Sequence, residues 1–364
     1  MKARAFDPGA HRLVICLGPG GVGKTTLSAA IALNAAIRGR SVDVMTVDPA
    51  PRLLDALGLE GDATQPRDVA LAGLGARRGG RLRALKLDPK QTFDGLIELY
   101  APSAAARDAI LSNRIYQNLS NALAGVADYM AMERLLELHR DATTGVIVLD
   151  TPPAQEAIDF LDAPRRMLDL LGSRALSLLG ASRGLLRGPL AMFDFAARAV
   201  LAAFDRLTGL HLLADVQAFV RGFEGMYGGF AERAAEAQAL VRGEDSLVVV
   251  VTTAEAERVA QAREFVAALE ELGFRVGAVA VNRVMAPIPG AAELERAEIP
   301  AALKRKLMRN LADFAALKRR ESLSIEELRE TLPLKTPLVI APDLGREPRT
   351  LRDLAEIGGS LRYA

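Results

Sequence analysis

The stretch Arg12–Thr25, RLVICLGPGGVGKT, decides the fold. Arg12–Leu17 (RLVICL) is a short, near-continuous apolar run, which suits a strand buried on both faces of a parallel sheet. Gly18-Pro19-Gly20-Gly21-Val22-Gly23-Lys24-Thr25 then matches G-x-x-x-x-G-K-[ST] at each fixed position. Thr25–Arg38 follows as an Ala- and Leu-rich segment of helical character that stops at Gly39. A glycine-rich loop between a strand and a helix lets backbone N–H groups converge on phosphate oxygens, with the helix N-terminus adding its positive dipole. In that setting Lys24 reaches the outer phosphates and the Thr25 hydroxyl is a ligand for Mg²⁺.

Working outward, strands are expected at Ser41–Val47, Leu82–Leu87, Gly145–Leu149, Leu247–Val251, Val276–Val281 and Pro337–Ile340, with helical patterns between them, including residues 103–140. Strands alternating with helices imply crossover connections. The fold class is therefore α/β: a doubly wound, mostly parallel sheet of the P-loop NTPase kind. The interval 165–243 breaks the rhythm. Phe193, Val200, Phe204 and Leu207 recur at helical spacing, as do Leu212, Val216, Phe219, Phe223 and Met226. This predicts an inserted helical subdomain at 165–243, with 1–164 and 244–364 forming the sheet domain.

Composition removes several function classes. Among 364 residues, 46 Lys plus Arg balance 45 Asp plus Glu, so no nucleic-acid partner is expected from overall charge. The single cysteine, Cys16, excludes a disulfide framework and a cysteine-held cluster within one chain. His11, His139 and His211 are too scattered for a zinc hydrolase. The charged, proline-bearing start lacks a signal peptide's apolar stretch, and no apolar run reaches bilayer length, so a cytoplasmic protein is expected.

Three polar residues end predicted strands. Asp150 closes GVIVLD and is placed to hold Mg²⁺ through its water shell. Asp48 closes SVDVMTVD and is a candidate to orient or activate the attacking water, with a plain turn aspartate as the alternative. Asn282 closes GAVAVN, where a turn asparagine has the same signature.

Together GPGGVGKTT, VDPAPRLLDAL and DTPPAQEAIDFLDAP resemble the three nucleotide motifs of the ArsA family of P-loop ATPases, of the deviant-Walker-A, MinD-like class. The family includes the arsenite-pump ATPase and the ATPase that guides tail-anchored membrane proteins. The resemblance covers most of the chain, including GVADYMAMERLLEL at Gly125–Leu138. It implies that Gly20, Gly21, Val22, Gly23, Lys24, Thr25 and Thr26 cradle the phosphates of ATP or ADP. It further implies that Asp48 activates the hydrolytic water, that Asp55 is a second acidic position of that segment, and that Asp150 stands near Mg²⁺. Asn282 corresponds to an adenine-reading asparagine, and Pro342, Asp343 and Leu344 to the loop covering the base. Such proteins usually work as nucleotide-gated homodimers.

The chain also departs from the pattern. A signature lysine that reaches the partner subunit's phosphates is replaced by Pro19, and Lys24 is the only lysine between Lys2 and Lys86. Arg52 is a candidate substitute, with a solvated surface arginine as the alternative. Loss of such a clamp implies slow turnover. One cysteine argues against arsenite-thiolate sensing and against a shared Cys-x-x-Cys zinc site. Pro51 replaces a histidine, and Ala154-Gln155-Glu156 stands where a Thr-Gly-His run is expected.

In the targeting branch the equivalent of the insert forms an apolar groove for a client's transmembrane helix. Leu168, Leu171, Leu176, Leu179, Leu185, Leu186, Met192, Phe193 and Phe204 supply apolar surface for such a client, or for packing within the protein. The leading expectation is a Mg²⁺-dependent ATPase using dimer closure to handle a protein or membrane client. A MinD- or ParA-like positioning protein is the rival. Against it, Thr350–Ala364 is short, mixed in charge and broken by Gly358-Gly359, and the basic runs at Lys304–Arg309 and Lys318–Arg320 precede acidic residues. For an ATP-coupled ligase or kinase, the sequence shows no acceptor-substrate constellation.

Overall fold

The structure, a computed structural model, describes residues 4–9, 11–114, 116–117, 124–172, 226–333 and 336–364. Among these, nine strands form one sheet: β1 (Leu13–Leu17), β2 (Ser41–Thr46), β3 (Arg67–Asp68), β4 (Arg81–Lys86), β5 (Val146–Asp150), β6 (Ser246–Thr253), β7 (Val276–Val284), β8 (Leu338–Pro342) and β9 (Arg362–Tyr363). Their order is β3-β4-β2-β5-β1-β6-β7-β8-β9. Pairings from β4 through β8 are parallel, and only β3 on β4 and β9 on β8 run antiparallel. This is the mostly parallel α/β fold expected of a P-loop NTPase.

The described helices are α1 (Lys24–Ile37), α2 (Arg52–Ala56), α3 (Pro89–Tyr100), α4 (Ala104–Leu111), α5 (Ala124–Arg140), α6 (Ala154–Gly172), α7 (Tyr227–Arg242), α8 (Ala256–Glu271), α9 (Ala291–Arg296), α10 (Ala301–Thr331) and α11 (Leu351–Ser360). The chain divides into two compact units. One comprises Met1–Lys86, Asp141–Ile158 and Arg242–Ala364; the other comprises Leu87–Arg140 and Asp159–Val241.

In the sheet unit, β1 shows why an apolar run suits a central strand. Val14 and Cys16 join a core with Leu27, Ile31 and Val44, while the alternating residues Leu13, Ile15 and Leu17 are equally buried. Both faces of β1 are thus covered. The small residues Ala29, Ala30, Ala32, Ala35 and Ala36 leave α1 buried along most of its length. At the sheet's far edge β9 pairs Tyr363 with Val339, and α11 before it carries a capping box between Thr350 and Asp353. Leu354, Ile357 and Leu361 are buried, so this C-terminal segment's apolar side is used in packing. β7 runs beyond Val281 to Val284, which pairs with Pro342 after a register shift.

The helical unit has a core of its own, built from Phe93, Ile97, Tyr116, Tyr129, Phe230 and Ala234. Asp88 caps α3, accepting from the Gln91 N–H at 2.9 Å with Pro89 in the first turn, and Ser103 caps α4 at 3.1 Å. Buried Arg233 donates to Glu133 at 2.5 Å and to the Tyr100 hydroxyl at 3.0 Å, and Tyr129 donates to the other Glu133 oxygen. Of the apolar residues read as a client groove or packing surface, Leu176, Leu179, Leu185, Leu186, Met192, Phe193 and Phe204 lie outside the described residues. Val200, Leu207, Leu212, Val216, Phe219, Phe223 and His211 do as well.

Candidate functional site

A parallel sheet presents its ligand crevice at the carboxyl ends of its strands, where neighbouring connections diverge. β1 lies between β5 and β6, and the loop Gly18–Gly23 leaves from its end. The loop's shape requires glycine. Gly18 has φ of 145°, and a Cβ there would lie 2.2 Å from the Val251 carbonyl oxygen. Gly23, the residue before α1, sits at φ 87° and supplies no side-chain cap, so the first N–H groups of α1 are left for a ligand. Lys24 is 9% exposed and its ammonium donates to the Pro19 carbonyl at 3.0 Å. Burial lowers its pKa, and the nearby Asp150 and Asp48 carboxylates oppose that shift.

Asp150, at the end of β5, gathers the polar groups around it. Thr25 and Thr46 donate their hydroxyls to Oδ2 at 2.9 and 3.0 Å, and the Ser28 hydroxyl lies 3.5 Å from Oδ1. Burial pushes the Asp150 carboxyl up to about 6 against the hydrogen bonds from Thr25 and Thr46. Thr46 also accepts from the Asp48 N–H at 3.2 Å, so the two aspartates are linked through one hydroxyl. Asp48 turns back on itself, its Oδ1 accepting from the Ala50 N–H at 2.9 Å, while Arg52 lies 3.7 Å from its Oδ2. Arg52 is 74% exposed at its side chain, and Asp55 is exposed on α2.

The oxygen donors of Thr25 and Asp150 suit a hard divalent cation that keeps much of its water, which is the chemistry of Mg²⁺. Among the described residues no cluster of three or more His, Cys, Asp or Glu could hold a metal by itself.

The other end of the crevice is built by β7 and β8. Asn282 donates its amide to the Val22 carbonyl at 2.8 Å and accepts from the Arg283 N–H at 3.0 Å. Arg283 takes a left-handed φ of 57°, the one described non-glycine residue to do so. The Asp343 N–H donates to the Val284 carbonyl at 2.8 Å, and Asp343 Oδ1 accepts from the Gly345 N–H at 2.8 Å. Thr26, Asn282, Pro342, Asp343 and Leu344 share a cavity of about 280 Å³ with Arg283 and Arg346.

The structure therefore brings Lys24, Thr25, Asp48 and Asp150 to one place, and Thr26, Asn282 and Pro342–Leu344 to a second along the same loop and helix. Sequence reading passed over Thr46 and Ser28. Thr46 lies two positions before Asp48 on β2, and Ser28 one helical turn after Lys24 on the buried face of α1, which is the signal each one offered.

Comparison with known proteins identifies the family. The chain is 25% identical over 312 residues to "ATPase GET3" of Malassezia globosa, covering 85% of this chain and 84% of that protein. An uncharacterized protein of Streptomyces coelicolor is 31% identical over 224 residues, 56% of this chain and 54% of the relative. "ATPase get3" of Aspergillus terreus is 29% identical over 189 residues, 48% and 52% respectively. The sequence profile described as "Anion-transporting ATPase" matches residues 11–313. The chain belongs to the ArsA family of anion-transporting ATPases.

Proposed function

We propose that the protein is a Mg²⁺-dependent ATPase that closes as a homodimer on ATP and acts on a protein or membrane client. The observation that carries the nucleotide chemistry is the convergence of Thr25 and Thr46 on the Asp150 carboxylate, with Asp48 bound to the same Thr46 hydroxyl. In this reading Gly20 to Thr26 hold the phosphates, and Thr25 and Asp150 hold Mg²⁺, which when bound draws charge from the outer phosphates. Asp48, next to the cation site, orients the water. The cavity near Asn282 and Pro342–Leu344 receives the base. Lys24, tied to Pro19 in the free protein, exchanges that carbonyl for phosphate oxygens. Turnover is slow, because a proline at position 19 supplies neither charge nor N–H.

The client assignment takes its support from family membership and from the apolar sequence of 165–243, the segment proposed to hold the client. No helix among the described residues is long and apolar enough to cross a membrane. A MinD-like membrane anchor at Thr350–Ala364 is disfavoured because Leu354, Ile357 and Leu361 are buried. The test is phosphate release with Mg²⁺ or EDTA, beside light scattering of Asp48→Asn with ATP or ADP. Mg²⁺-dependent release and a doubled mass with ATP are expected. A monomer in both nucleotides overturns the dimer, and release that ignores EDTA overturns the metal role. Co-purification of single-helix membrane proteins with Asp48→Asn in ATP but not ADP tests the client.

A further inference from the structure

Arg283 stands at the Gly23 end of the phosphate loop, its Nη2 3.9 Å from where a Gly23 Cβ would lie, and little positive charge stands at the Pro19 end among the described residues. Lys24 is the loop's own cation, Pro19 contributes no N–H, and Arg52 is paired with Asp48 at 3.7 Å. A triphosphate whose terminal group is being transferred spreads charge over several oxygens, more than one ammonium and a helix terminus ordinarily answer.

Beside Pro19 and Gly20 a cavity of about 570 Å³ opens, walled on its other sides by α8 and by Pro153 of the segment that follows Asp150. Arg258, in the first turn of α8, is the single cation lining it among the described residues. Its backbone is fixed where it stands, because the buried Thr252 hydroxyl donates to the Arg258 carbonyl at 2.9 Å. Its guanidinium donates through Nη1 to the neutral Gln261 amide at 2.9 Å. Glu156 and Glu264 line the same cavity, yet Arg258 makes no ion pair among the described residues. A half-buried guanidinium oriented by a neutral amide keeps its charge for an anion, and its planar set of donors matches phosphate oxygens.

We propose that Arg258 is the second cation of the phosphate site: it contacts the terminal phosphate from the cavity side and stabilises the charge that develops during transfer to water. The proposal rests on the reading of the chain as an ATP hydrolase. In that reaction the oxygen of water bonds to the terminal phosphorus as the bond to the bridging oxygen breaks. Negative charge collects on the departing ADP, and the protons of water pass to the phosphate product and to solvent. An arginine serves such a step because its planar donors reach two oxygens at once.

The experiment compares wild type, Arg258→Ala and Arg258→Lys for kcat, KM, thermal midpoint, ADP affinity, and affinity for ADP with aluminium fluoride and Mg²⁺. Arg258→Ala is expected to lower kcat by about 100- to 1,000-fold, with the aluminium fluoride complex weakened alongside it. KM, ADP affinity and thermal midpoint stay near wild type, and Arg258→Lys recovers part of the loss. Unchanged kcat in Arg258→Ala overturns the proposal. So does a joint fall of kcat, ADP affinity and thermal midpoint, which marks a structural role. A wild-type protein that binds ADP with aluminium fluoride but releases no phosphate overturns the ATPase reading instead. In that case the unchanged or weakened affinity of Arg258→Ala for the complex still decides the phosphate contact.

Discussion

Asn282 holds the phosphate loop: its side-chain amide donates to the Val22 carbonyl across 2.8 Å, joining the end of β7 to the turn that precedes α1. The same nitrogen lies where a Cβ on Gly23 would stand, at 2.4 Å. Gly23 is therefore required twice, by its φ of 87° and by this approach. Asn282→Ala leaves a buried carbonyl unpaired at a cost of about 1–3 kcal/mol, read in urea unfolding. It should also weaken a fluorescent ATP analogue about 10-fold, which corresponds to roughly 1.4 kcal/mol. Gly23→Ala should weaken it further, and wild-type affinity in that variant would show that the loop is not held in this way.

The two site aspartates should separate in a kinetic comparison. Asp48 has one oxygen engaged by the Ala50 N–H and the other near exposed Arg52, whereas Asp150 accepts both Thr25 and Thr46 and is 1% exposed. Asp48→Asn keeps the Asx turn and should keep ATP affinity while lowering kcat about 100-fold or more. Asp150→Asn keeps the shape but not the charge, and should raise the Mg²⁺ concentration needed for half-maximal rate. Identical Mg²⁺ profiles for wild type and Asp150→Asn would remove Asp150 from the metal's surroundings.

Cys16 should be silent toward thiol reagents in the folded protein. It is fully buried in β1, and burial pushes its thiol up to about 12, with the Ser28 hydrogen bond opposing. Only the thiolate reacts, so Ellman's reagent should titrate no thiol in native protein and one per chain in guanidinium. Because β1 leads directly into the phosphate loop, Mg-ATP should slow the appearance of that thiol at intermediate denaturant. Rapid labelling of the native protein would contradict the buried placement.

How far the sequence revealed this arrangement depends on how local the signal was. The loop from Gly18 to Thr25 and the apolar β1 were legible because contiguous residues set both conformation and ligand chemistry. The end of β5 was legible as a polar residue closing an apolar run, whereas Asn282, read as closing its strand, lies inside β7, which continues to Val284. Thr46 was hidden because its meaning is a hydrogen bond to Asp150, 104 positions away, and an isolated threonine on a strand carries no mark of that partner. Arg258 was hidden for the same reason, since only the fold sets α8 beside Pro19. The two-residue edge strands β3 and β9 lack any periodicity to read. The helical unit's core, joining Phe93 and Tyr129 to Phe230, draws on segments separated by sheet strands, so no single window contains it.

The last prediction concerns acid stability. Asp43 on β2 stands opposite Arg83 on β4, is 1% exposed, and accepts from Nε and Nη2 at 2.6 Å each. Arg83 also donates to Asp141 at 2.9 Å and to the Thr144 hydroxyl at 3.0 Å, and Thr144 in turn donates to Asp43. Arg83→Leu leaves the Asp43 carboxylate buried without its cation, which should cost about 3–5 kcal/mol in chemical unfolding at neutral pH. Asp141 supplies the pH dependence. Its carboxyl is held down at about 2, first by the Thr143 N–H and then by Arg83, against an ordinary value of 3.8. A lowered carboxylate stabilises the fold fully above the unfolded value and loses that contribution as pH falls through the folded one. Stability should therefore fall between about pH 4 and pH 2, and Asp141→Asn should flatten that segment of the curve. Arg83→Leu should flatten it only in part, because the Thr143 N–H remains in place. Equal acid slopes in wild type and Asp141→Asn, measured by urea unfolding across that window, would place the acid sensitivity elsewhere in the chain.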